Sequence, residues 1–144
     1  MNLNSDYMKK IIFLFIVLLS STLSFAQDNS QHKIVFQLTT SDTLSHKGLM
    51  KQIGNILSLS PSTKIEVVCH GPGLTMLVGK TSVTSKKVTE FSSKGVDFMA
   101  CQFSMKERNV GKDELLPSAV IVPGGILEIV QKQELGWSYI KAGN

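Results

Sequence analysis

Four short apolar runs, each closed by a turn signal and separated by helix-patterned or polar sequence, leave few folds open to this chain. They are Ile34-Val35-Phe36, Ile65 to Cys69, Val96 to Cys101 and Ala119 to Val122. Such runs, nearly continuous rather than alternating, are typical of strands buried on both faces. Helical spacing separates them, so strand and helix alternate along the chain. That order predicts an α/β domain, a parallel sheet with helices on both faces.

The first strand is expected over Lys33 to Thr39. Leu49, Met50, Ile53, Ile56 and Leu57 then recur at helical spacing, Asp42 and Thr43 offer N-caps, and Pro61 stops the pattern. The second strand, Lys64 to Cys69, ends at the turn His70-Gly71-Pro72-Gly73. Leu74 to Val78 reads as a short apolar turn, and a polar helix carrying Val88 and Phe91 follows, with Gly95 as its C-cap. The third strand, Val96 to Cys101, leads into a helical turn over Gln102 to Arg108 and a loop to Pro117. After the fourth strand, Pro123-Gly124-Gly125 opens an amphipathic helix with Ile126, Leu127, Ile129 and Val130 expected inward and Glu128 and Lys132 as a favourable pair. Trp137 to Lys141 closes the chain as an edge strand. No internal repeat or low-complexity segment interrupts this series.

The first 26 residues stand apart. Lys9 and Lys10 precede the apolar run Ile11 to Leu19, and Ser24-Phe25-Ala26 supplies small residues, the pattern of a secretory leader cleaved after Ala26. Residues 27–144 then form one domain, periplasmic or secreted. No later segment approaches the roughly 18 uninterrupted apolar residues of a membrane span, so stable membrane insertion after cleavage is not expected. The formal net charge of +4 drops by one with the leader, and the lysines are scattered among acids. A solvated surface explains that balance better than a nucleic-acid footprint, and no nucleic-acid partner is expected. Two cysteines are too few for a disulfide scaffold, and neither a CxxC pair nor His/Cys zinc spacing is present.

The chemistry concentrates where strands end. In an open α/β sheet the loops beyond the strands' carboxyl ends gather into a crevice, and helix N-termini there favour negative charge. Three turns are expected at that edge: His70-Gly71-Pro72-Gly73, Cys101-Gln102-Phe103-Ser104 and Pro123-Gly124-Gly125. Cys101 is placed for thiolate chemistry, although a free cysteine is also a common small core residue. The candidate binding residues around it are His70, Gly71, Gly73, Gln102, Ser104, Gly124 and Gly125, whose glycines and exposed amides would admit an anionic sulfur species or phosphate. Cys69 reads as the more enclosed thiol. None of the turns matches a P-loop or dinucleotide fingerprint, and no serine sits in a nucleophile elbow. No cofactor is implied.

Taken together, Leu49 to Leu57 with Asn55, Ile65-Glu66-Val67-Val68-Cys69-His70-Gly71-Pro72-Gly73-Leu74, Gly95 to Cys101, Leu115-Leu116-Pro117, Val120 to Gly125 and Gln133 to Ile140 resemble the DsrE/DsrF-like proteins of bacterial sulfur relay. The likeness spans essentially the whole chain after the leader. It implies a three-layer α/β/α domain with a five-stranded, mainly parallel sheet and assembly into trimers or hexamers. It also implies that the cysteine at position 101 carries sulfur as a persulfide, exchanged with a donor or acceptor protein or a small sulfur compound. Two features depart from the family pattern: Phe103 and Ser104 stand where relatives have an Asn-Thr pair, and this chain bears a leader where most relays are cytoplasmic. The competing expectation is a non-catalytic oligomeric module binding a small anion or a soft metal such as Cu(I), with Cys69, Cys101, His70 and Met105 as ligands. Cys69 and Cys101 are expected to be unbonded at rest, with a disulfide as an oxidised form.

Overall fold

The computed structural model describes residues 6–10 and 31–143. The chain divides into two units, Met1–Ser30 and Gln31–Asn144. In the first, residues 6–10 are helical and exposed. The apolar run Ile11 to Leu19 and the cleavage point at Ala26 lie outside the described residues. Among the described residues no helix is long and apolar enough to cross a membrane.

The second unit carries five strands, β1 (Lys33–Leu38), β2 (Lys64–Cys69), β3 (Val96–Cys101), β4 (Ala119–Val122) and β5 (Ser138–Ala142), all parallel in the order β4-β3-β2-β1-β5. Its helices are α1 (Thr43–Leu59), α2 (Ser85–Ser93), α3 (Gln102–Glu107) and α4 (Gly125–Glu134), with 3₁₀ turns at Gly71–Leu77 and Lys112–Glu114. Each β1-to-β4 connection steps one strand in the same direction. Right-handed crossovers therefore put α1, α2 and α3 on one face, while the return from β4 to β5 puts α4 on the other.

The two faces are unequal. The larger core gathers Phe36, Ile65, Val67, Cys69, Phe98 and Ala100 from the sheet beneath Leu49 and Ile53 of α1 and Val88 and Phe91 of α2. Beneath α4 the core is small: Val35, Val68, Met99, Val122 and Ile129, with Trp137 against it. The expected inward stripe of α4 is corrected here. Ile129 is buried, but Ile126, Leu127 and Val130 are 58%, 59% and 41% exposed. Among the described residues α4 is the one helix over this face, with no neighbouring helix to cover its flanks, so a wide apolar stripe outruns the sheet surface beneath it.

Local signals act as read. Asp42 caps α1, accepting from the backbone N–H groups of Leu44 at 3.3 Å and Ser45 at 2.8 Å. A loss of such a cap costs about 1 kcal/mol. Trp137 lies just before β5, which runs one residue past the expected Lys141 and pairs only with β1.

Candidate functional site

Period-two alternation decides which cysteine faces what. Cys69 stands opposite Ala100 in the parallel register, and both point into the larger core. Cys101, one residue further along β3, therefore points to the α4 face. Sulfurs on opposite faces cannot bond without rebuilding the strand ends, so the expected oxidised disulfide is ruled out for this fold. Both thiols are free. The copper ligand set is dispersed by the same geometry, since Cys69 and Met105 lie in the larger core, across the sheet from Cys101. Among the described residues no three His, Cys, Asp or Glu side chains are grouped to share a metal ion.

Cys101 sits where β3 hands over to α3 and where α4 begins. The Gly125 backbone N–H donates to its Sγ at 3.2 Å. A β-carbon on Gly125 would lie 3.1 Å from His70 Cβ, 3.2 Å from Cys101 Cβ and 3.2 Å from Val68 Cγ1, so only glycine lets α4 approach this closely. Ser104 Oγ accepts from the Gly71 N–H at 2.7 Å, which leaves its own hydrogen for the sulfur. Burial pushes the Cys101 thiol up, but the Ser104 hydroxyl and the backbone N–H groups of Ser104, Gly125 and Phe103 outweigh it, and the net shift is downward. Hydrogen bonds to the charged form favour thiolate. Cys69 has burial alone, which pushes its thiol far up.

The thiol opens on a cleft of about 490 Å³. Its polar lining includes His70, Gly71, Ser104 and Glu107, and its apolar wall is Phe103, Ile126, Leu127 and Val130. All three expected turns meet there. Of the expected residues, His70, Gly71, Cys101, Ser104, Gly124 and Gly125 line the cleft. Gln102 is exposed and does not line it, and Gly73 serves packing: a β-carbon there would stand 2.1 Å from the Leu38 carbonyl oxygen. A cleft of about 540 Å³ between α1 and α2, ringed by Lys47, Lys51, Lys86 and Lys87, contains no nucleophilic thiol.

Two residues beside the cleft escape a sequence reading. Gln37 Nε2 lies 2.8 Å from His70 Nε2, and the Tyr139 hydroxyl donates to Gln37 Oε1. The contact joins β5, β1 and the end of β2, which are distant in sequence, so no local signal marks it. Burial lowers the His70 pKa, favouring the neutral ring. Further down the same face, fully buried Glu66 pairs with Lys132 Nζ at 2.5 Å, and Lys132 also reaches Glu128 at 3.5 Å and lies 4.8 Å from the centroid of the Trp137 ring. The expected Glu128–Lys132 pair is therefore part of a larger cluster.

A five-stranded parallel sheet flanked by helices, with a hydrogen-bonded thiol at its carboxyl edge, defines an α/β domain with a candidate thiol site. The sequence profile of the DsrE/DsrF-like family matches residues 20–142, and the chain belongs to that family. Among solved structures it is similar to MTH1491 of Methanobacterium thermoautotrophicum, a protein of unknown function. Identity is 30%, the TM-score is 0.73, and the match covers 77% of this chain and 99% of that one. No curated protein matches the chain.

Proposed function

We propose that this is an exported sulfur-handling protein in which Cys101 accepts sulfane sulfur as a persulfide and passes it to another thiol. The observation that carries the reading is the donor set around one cleft-lining sulfur, with the Gly125 N–H at 3.2 Å and Ser104 held by Gly71. Family membership supports it. In the loading step the Cys101 thiolate attacks the outer sulfur of a donor R–S–SH. A Cys101–S bond forms, the donor S–S bond breaks, and R–S⁻ leaves with the bonding pair. The outer sulfur keeps its hydrogen, giving Cys101–S–SH. Unloading is the same exchange in reverse onto an acceptor thiolate, so no external oxidant or reductant is needed. The backbone amides that favour the thiolate also stabilise the charge that returns to the Cys101 sulfur as it leaves during unloading.

Export rests on the leader pattern and is tested by intact mass of the mature protein, expected to begin after Ala26. Homo-oligomerisation, as a trimer or hexamer, accounts for the exposed Ile126, Leu127 and Val130 together with Tyr139 and Ile140 on the edge strand. Light scattering at micromolar concentration that finds only monomer removes that part of the proposal.

The decisive experiment is incubation with polysulfide followed by mass analysis. Sulfur additions are expected at Cys101, retained in Cys69→Ser and lost in a folded Cys101→Ser variant. If native, reduced protein takes neither polysulfide sulfur nor iodoacetamide at Cys101, the carrier reading fails.

A further inference from the structure

We propose that Gln37 and Tyr139 are positioning residues that hold His70 as the Nδ1–H tautomer, so that this imidazole serves the Cys101 cleft as a hydrogen-bond donor rather than as a base. The proposal deepens the sulfur-handling reading and rests on it for its chemistry, though the tautomer itself is independent of that reading. It begins with the direction of two hydrogen bonds. The Tyr139 hydroxyl donates to Gln37 Oε1. With that oxygen engaged, the Gln37 amide presents its NH₂ group to His70 Nε2 at 2.8 Å. An NH₂ group only donates, so Nε2 must accept, and the ring proton resides on Nδ1. The opposite amide orientation would accept from an Nε2–H and donate to the phenol. The two arrangements differ in which ring nitrogen holds the proton, and that is measurable.

The placement gives the tautomer a use. His70 and Cys101 both line the cleft, and their β-carbons flank the point where a β-carbon of Gly125 would stand, at 3.1 and 3.2 Å. Nε2 is occupied by Gln37, so Nδ1 is the ring nitrogen left to meet a ligand. In the sulfur exchange, negative charge moves from the Cys101 sulfur to the departing R–S⁻. A neutral Nδ1–H can hydrogen-bond that leaving sulfur without transferring its proton, which keeps the exchange balanced. The backbone donors around Cys101 serve the attacking sulfur, and His70 serves the leaving one. Gln37 is on β1 and Tyr139 on the edge strand β5, so two strands that carry no cleft residue set the hydrogen-bond polarity of the site.

The test is ¹⁵N-resolved NMR of the His70 ring above its pKa, in the full mature chain, alongside the rate of sulfur loading from polysulfide. In wild type, Nδ1 should be protonated and Nε2 unprotonated. Gln37→Glu offers acceptors only, so it should move the proton to Nε2 or charge the ring, and slow loading about tenfold. Tyr139→Phe should leave the amide free to turn and give a mixture of tautomers. Alkylation of Cys101 by iodoacetamide, whose leaving group is iodide, should remain close to wild type in both variants. A wild-type ring protonated at Nε2, or a Gln37→Glu ring unchanged from wild type, overturns the proposal. Failure of wild type to load sulfur while the tautomer is as stated defeats the carrier reading and leaves the tautomer assignment standing. Equal slowing of alkylation and loading would assign Gln37 a merely structural role and overturn the positioning function.

Discussion

Replacing Gly125 with alanine tests the origin of the Cys101 thiolate directly. The new β-carbon would meet three carbons at 3.1 to 3.2 Å, where comfortable carbon contacts begin near 3.5 Å. Relief requires the start of α4 to lift by roughly half an ångström, which lengthens the N–H···Sγ bond from its present 3.2 Å. A hydrogen bond to a charged group contributes about 1.5–3 kcal/mol. Weakening it by about half raises the free energy of the thiolate by about 1 kcal/mol, or roughly 0.7 pKa unit, since one unit is about 1.4 kcal/mol. Below the pKa the thiolate fraction, and with it the alkylation rate, should fall about fivefold. Overall stability should fall by about 1–3 kcal/mol, the usual cost of such crowding, and Gly125 opens α4, so the mid-helix propensity gain of alanine does not offset it. The assay is the rate of iodoacetamide labelling at Cys101 against pH, resolved by mass. Gly124→Ala is the comparison: its β-carbon would meet only the Phe103 ring at 3.7 Å and Leu127 Cβ at 4.0 Å, both ordinary contacts. Identical labelling curves for Gly125→Ala and wild type would refute the argument that the amide of α4 lowers this pKa.

Ser104→Ala removes a donor to the sulfur and strips the Gly71 N–H of its 2.7 Å acceptor, so the Cys101 pKa should rise and the melting temperature fall. Ser104→Thr keeps the hydroxyl and should restore the pKa; a threonine variant that titrates like alanine would contradict the hydroxyl's role. Glu66, pushed by burial to about 7 from an ordinary 4.5 despite Lys132, gives a stability signature of definite sign. Its folded pKa is the higher, so its contribution is fully present below about pH 4.5 and is lost as pH rises through about 7. Urea titrations across that window should show the decline in wild type and a flatter curve in Glu66→Gln; parallel curves would contradict it.

The elements were legible because each rests on a local cause. Asp42 ahead of Leu49 and Ile53, glycines after strands, and unbroken apolar runs are all short-range signals, and the fold follows them to within a residue or two. The three turns that meet at the cleft were legible too, since strand ends in a parallel sheet share one edge. What failed depends on distances in space. The burial of α4 could not be read from its apolar spacing, because that spacing does not tell whether one helix or two will lie on a sheet face. The same holds for Gln37 and Tyr139: both look like ordinary strand residues until β5 is known to lie beside β1.

The contrast between the two thiols follows from the sheet's connectivity. β1 to β4 advance in one direction, and right-handed crossovers stack three helices on one face, sealing Cys69 completely. The single return from β4 to β5 leaves α4 alone among the described helices on the other face, its N-terminus against Cys101. At β3 and β4 the chain leaves toward opposite faces, the arrangement in which α/β sheets open a crevice. A one-residue difference in position along adjacent strands thus separates an inert thiol from one with hydrogen-bond donors and an entrance. The thin cover that opens the cleft also leaves Ile126, Leu127 and Val130 bare. Access to the sulfur and the apolar surface suited to assembly therefore have a common origin, and an oligomer that buries those three residues would also rebuild one wall of the cleft.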